Sequence, residues 1–264
     1  MSDNSQTVQV QTQKKTSPFK EVKEFEKDLR DFASIHKTML SEHSKRISDY
    51  FEMSCYSMIV RYYEHKGYHA TVENEKAGRF RFKCSPSGLL ENFSYMKVTK
   101  NDLSFNIYHN ASVQSAHDVM VFTTPDIVVA NSKEPSTTTD YYKTKRKFSY
   151  LPNNEMITFC EAKHHTPFAE LMVNFIGIVN ELKPWCLQQH PDEETDSEHL
   201  APSLMMSGCL SKPTKRIANS LQKRYYINML SDLFLEPYRT TFSKEGVRNM
   251  ATLTKKRSIE YEDE

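Results

Sequence analysis

The chain has 264 residues, 38% of them hydrophobic, enough to bury a sizeable core as one large domain or as one domain with appendages. Its formal net charge of +1 excludes a global field that draws nucleic acid, so any such binding must use local patches. No run approaches the roughly 18 apolar residues of a membrane span, the start lacks the pattern of a signal peptide, and the five cysteines form no C-x-x-C pair. A cytoplasmic protein with no membrane association is expected, its cysteines mostly small buried hydrophobes.

Residues 1–17 are polar and are expected to form a disordered tail. Ser17 as N-cap, Pro18 in a first turn, and Phe19, Val22, Phe25, Leu29, Phe32, Ile35 and Met39 at three- and four-residue spacing predict a helical extension over 18–43. The main domain is expected over 44–235, with 236–264 as a C-terminal extension. Its first helix runs over 44–65, with Phe51, Cys55, Met58, Ile59 and Tyr62 on an apolar side and Gly67 as a stop. Glu52 lies beside that stripe, where the plain alternative is a solvated helix acid.

Alternating runs at 79–84, 93–99 and 103–109 predict antiparallel strands, with turns at Pro86-Ser87-Gly88 and Asn101-Asp102. Val119–Phe122 is expected to continue the sheet, Thr123-Thr124-Pro125 to break it, and 126–130 to resume as a short buried strand. Residues 131–155 form a long polar insertion carrying Lys143, Lys145, Arg146 and Lys147, either a solvated loop or a phosphate-contacting arm.

The run Met156 to Lys163 is apolar and ends in Glu161-Ala162-Lys163. As a strand it puts Glu161 and Lys163 on one face, while Ala162 faces the other way and lets something pack closely behind. A helix is expected over 167–182, an acidic solvated loop over 191–198, a strand over 203–208, a basic helix over 214–223 and a strand over 225–230. The last three suggest a crossover within the same sheet.

Glu-x-Lys occurs four times, at Glu21, Glu64, Glu161 and Glu181, and only Glu161 ends a β-type run. Pro-Asp occurs twice, and only Pro125-Asp126 begins one. These two motifs, the helix carrying Glu52 and the helix after Lys163 resemble the PD-(D/E)xK nuclease superfamily over about residues 44–230. The resemblance implies an α/β, restriction-endonuclease-like mixed central sheet flanked by helices, here with an extra N-terminal helix. It implies Asp126 and Glu161 as ligands of magnesium or manganese, with the Ala162 carbonyl as a third and Glu52 as the helix-borne acid some branches add. Lys163 would orient the attacking water and stabilise developing charge. Hard oxygen donors suit such cations, and phosphodiester cleavage needs an activated water and neutralised phosphate charge.

The resulting expectation is a magnesium-dependent DNA endonuclease. Lys143, Lys145, Arg146, Lys147, His164, Lys215 and Arg216 are its candidate nucleic-acid contacts. Near-neutral charge keeps open a catalytically inactive module of the same fold that binds nucleic acid or a protein. A protein partner could supply specificity, and homo-oligomerisation is open. A helix-turn-helix over 214–230 is disfavoured because Tyr225 to Leu230 is rich in β-formers.

Overall fold

The computed structural model describes residues 47–131, 133–188 and 199–233. The tail and helix expected over 1–43, the acidic loop at 191–198 and the extension over 236–264 lie outside the described residues.

Helix α1 (Ile47–His65) is the first described element. Its burial is wider than a single stripe: Met53, Tyr56, Val60 and Tyr63 are buried along with Phe51, Cys55, Met58, Ile59 and Tyr62. Gly67, at φ 83°, ends it as expected, and the Tyr68 N–H returns to the Tyr63 carbonyl at 3.1 Å. The chain then forms β1 (His69–Glu73), β2 (Tyr95–Lys100) and β3 (Leu103–His109). Short β4 (Val113–Gln114) and β5 (Phe122–Thr123) precede β6 (Ile127–Asn131). Then come β7 (Ser136–Thr138), β8 (Phe148–Tyr150), β9 (Met156–Lys163) and helix α2 (Ala169–Leu182). The described chain closes with β10 (Ser203–Met206), helix α3 (Lys212–Arg224) and β11 (Asn228–Leu230).

The seven-stranded sheet has the order β1-β2-β3-β6-β9-β10-β11. Pairing is antiparallel from β1 through β9 and parallel from β9 through β11, which makes it a mixed sheet. The parallel pairs need crossovers, and α2 and α3 supply them. One apolar cluster joins α1 to Phe105, Ile107, Ile127, Val129, Cys160 and Ala162. The other joins α2 and α3 to Val128, Ala130, Phe159, Leu204 and Met206. Alternate residues of β6 therefore serve opposite layers, as the pleat requires. No helix among the described residues is long and apolar enough to cross a membrane.

Two expected strands are corrected. The 79–84 run is not a strand, because positive φ at Asn74, Ala77 and Gly78 turns the chain out of the sheet. Phe80 and Phe82 still insert against Tyr56, and Arg81 bonds Ser94 through both backbone groups, so the alternation reflects core insertion without a ladder. The strand on that edge is β1. Val119, Met120 and Val121 are exposed in the turn between β4 and β5, and only Phe122 enters a strand, in a separate two-stranded sheet. The 131–155 insertion is likewise not structureless, since β7 and β8 pair antiparallel within it.

Candidate functional site

Asp126 sits one residue before β6, and the β6–β9 register ends at Ile127 opposite Cys160. The next position on β9 is Glu161. Two strand ends from distant sequence thus meet, and the insertion between them is an excursion that returns to the neighbouring strand. The Asp126 carboxylate extends the ladder past its last backbone pair: Oδ2 accepts from the Ala162 N–H at 2.7 Å. The same oxygen accepts from Lys163 Nζ at 2.8 Å, and Lys163 Nζ lies 2.7 Å from Glu161 Oε2. One ammonium bridges two buried carboxylates.

The charges explain the titration. Burial, then the neighbouring Asp126 carboxylate, push Glu161 up to about 7 from an ordinary 4.5, against the pull of Lys163. Burial works to lower Lys163, but Glu161 and Asp126 outweigh it and hold the ammonium well above the usual lysine range. Lys163 remains 36% exposed at its side chain, so the bridge opens to solvent on one side.

Glu52 approaches from α1, half-buried and not a solvated helix acid. Asn110 Nδ2 donates to its Oε2 at 3.4 Å, and His109 Nε2 stands 3.6 Å from the same oxygen. Burial and Asp126 raise Glu52 to about 7. The small side chain of Ala162 faces the α1 layer, in the cluster holding Phe51 and Cys55.

Three residues join the site that the sequence did not single out. Asn110, at φ 51°, donates its N–H to the Asp126 carbonyl at 2.8 Å while its side chain meets Glu52. Its carbonyl accepts from Lys83 Nζ at 2.7 Å, and Lys83 also donates to the carbonyls of Ser85 and Pro86, each at 2.8 Å. Burial pulls Lys83 down to about 8. His109 is fully buried with Nδ1 at 3.0 Å from the Lys83 carbonyl. A carbonyl only accepts, so Nδ1 carries the hydrogen, and burial lowers the ring to about 4, leaving it neutral. The one sequence signal was Asn110 itself, since asparagine tolerates the left-handed region.

Behind Lys163 the turn is tight. Gly208 donates its N–H to the His165 carbonyl at 3.2 Å, and a Cβ there would stand 2.9 Å from that oxygen and from Thr166 Cα. This close approach requires glycine.

The proposed nucleic-acid contacts are not gathered here. Lys143, Lys145, Arg146 and Lys147 are exposed in the loop between β7 and β8. Lys215 and Arg216 are exposed on α3, whose Ser211 N-cap follows the end of β10. His164 turns toward Phe51, with ring centroids 5.7 Å apart. Among the described residues, no three His, Cys, Asp or Glu side chains form a ready metal cage; the arrangement is two carboxylates closed by Lys163, with Glu52 within electrostatic reach of Asp126 and Lys163. Comparisons with family models, curated proteins and solved structures find no match for this chain.

Proposed function

We propose that the protein is a metal-dependent phosphodiesterase, in its simplest form a DNA endonuclease of the PD-(D/E)xK type with a restriction-endonuclease-like core. The observation that carries the proposal is the convergence of Asp126 and Glu161, from adjacent strand ends, on Lys163. The order of elements supports it: a helix, an antiparallel run holding the Pro-Asp and Glu-x-Lys strands, a covering helix and a parallel strand.

The donor set fits a hard divalent cation such as magnesium or manganese. Asp126 and Glu161 offer carboxylate oxygens whose mutual repulsion a cation would relieve, and Glu52 lies within electrostatic reach of Asp126. The Ala162 N–H points to the β6 edge, and in a strand the carbonyl of the same residue points to that edge too. When bound, the cation would supply Lewis-acid polarisation of the phosphate and a more acidic water. Lys163 has three donor hydrogens. Asp126 and Glu161 occupy two, and the third is available to a water or a phosphate oxygen on the exposed side. Held so strongly protonated, Lys163 works as a positioned positive charge until its carboxylate partners are engaged elsewhere.

The test is cleavage of single-stranded, double-stranded and branched DNA and of RNA in magnesium, manganese and EDTA. Lys163→Ala and Asp126→Ala should each lose at least ~10²-fold of a divalent-dependent activity while circular dichroism stays unchanged. Cleavage that survives in both variants would sink the proposal. A second reading, a non-catalytic module of the same layout, is favoured by Lys163 already pairing with both carboxylates. It requires salt-sensitive binding with no metal-dependent cleavage in any of those conditions.

A further inference from the structure

The insertion carries its own small aromatic layer. Tyr141 stacks on Phe148 with centroids 4.2 Å apart and planes 16° from parallel. Phe148 is nearly parallel to Tyr150, and Phe122 braces the edges of these rings from β5. Phe148 is buried, whereas Tyr141 is 43% exposed at the loop end of the stack. A half-exposed ring fixed face-on by a buried neighbour is held rigid at the surface, with little left to lose on binding.

Charge surrounds that ring. Residues 139–150 contain four basic side chains, Lys143, Lys145, Arg146 and Lys147, and one acid, Asp140. All four are exposed, and Arg146 lies over the Tyr142 ring at 5.8 Å. In a chain of net charge +1 this is a local concentration of positive charge beside a rigid stacking surface. Phosphates complement the charge. A ring at the surface is complemented by another flat ring, and in a duplex the base faces are already stacked on each other. Among polynucleotides, an unpaired strand is the one that offers both free base faces and a run of phosphates long enough to meet four cations.

We propose that this arm binds a single-stranded polynucleotide, with one base stacked on Tyr141 and successive phosphates met by Lys143, Lys145, Arg146 and Lys147. As a statement about substrate, that an unpaired strand or flap is what reaches Lys163, it rests on the nuclease reading. As a statement about binding it stands on the arm alone.

The measurement is fluorescence anisotropy with the full chain in EDTA, which removes cleavage from the readout. The probes are a labelled oligothymidylate, the RNA equivalent, an abasic oligomer of equal charge, and the DNA annealed to its complement. Tighter binding of either single strand than of duplex and abasic oligomer is expected, with Tyr141→Ala about ten-fold weaker and Tyr141→Phe close to wild type. Removing Lys143 and Lys145 should flatten the salt dependence by about 0.7 in log–log slope per cation. Equal affinity for the abasic oligomer, preference for duplex, or an unaltered Tyr141→Ala variant overturns the inference. Binding of the expected kind without divalent-dependent cleavage would retain the arm and overturn only the nuclease reading. Cleavage with no role for Tyr141 would do the reverse.

Discussion

Replacing Glu161 with glutamine should favour the metal-free protein, relative to wild type, progressively more as pH rises from 5 to 8. Glu161 has an ordinary value of 4.5 and is held near 7 in the fold, a figure that already includes the pull of Lys163. Between those values the folded chain keeps a proton that the unfolded chain has released. The stabilisation this gives is fully present below 4.5 and is lost as pH rises to about 7. At ~1.36 kcal/mol per pH unit, the interval amounts to about 3 kcal/mol, of which about 2–3 falls between pH 5 and pH 8. Glu161→Gln has no such proton to lose.

The stability of Glu161→Gln minus that of wild type should therefore grow by about 2–3 kcal/mol between pH 5 and pH 8. Taking the difference across pH cancels whatever the amide does by itself, and Glu52, which also sits near 7, titrates in both proteins. Urea denaturation in EDTA reads it as a relative midpoint shift of about 1 M, provided the slope is unchanged. A flat or falling difference would refute the reasoning, because Glu161 would then not bear the cost of its burial beside Asp126. Cleavage should be lost in the same variant whose relative stability rises with pH, as expected where a site keeps groups the fold alone would not choose.

Two other positions are expected to respond. Gly208→Ala should cost about 1–3 kcal/mol, read as a lower Tm, because the new Cβ meets the backbone at His165 and Thr166 and neither can swing aside. Asn110→Gly and Asn110→Ala both remove the amide contact to Glu52, so both should reduce cleavage to a similar degree. Only alanine is strained at φ 51°, so it should be about 1 kcal/mol less stable than the glycine variant in paired denaturation curves.

The elements nearest the site were legible in the sequence because their patterns are local. Met156 to Lys163 is a strand at the expected bounds, Leu103 to His109 likewise, α1 ends at His65 as expected, and α2 and α3 differ from expectation only at their ends. The Glu161–Lys163 pairing followed from a period of two. What was not legible depended on long-range contact. Phe80 and Phe82 alternate like strand residues, yet their partner is Tyr56 on a helix, whose hydroxyl donates to the Ile107 carbonyl and accepts from the Met96 N–H. Lys83, the residue after Phe82, looks like a solvent-facing strand position and is instead a buried ammonium holding three carbonyls. Nothing in a lysine's neighbours along the chain reveals that its partners lie at 85, 86 and 110.

Asp126 shows how the two kinds of information combine. Its identity as a strand-leading acid is local, but its role depends on the register that sets Ile127 against Cys160. Shifting that pairing by one residue would turn Glu161 and Lys163 to the α1 face and leave Ala162 among the helices opposite. β6 is apolar and buried on both faces, so what opposes such a slip is the cost of turning the Glu161 and Lys163 charges into the apolar cluster beneath α1. The irregularity between Val129 and Ala130 takes up the mismatch at the far end of the pair, next to the insertion. The register of β6 against β9 therefore fixes the site together with the charged residues.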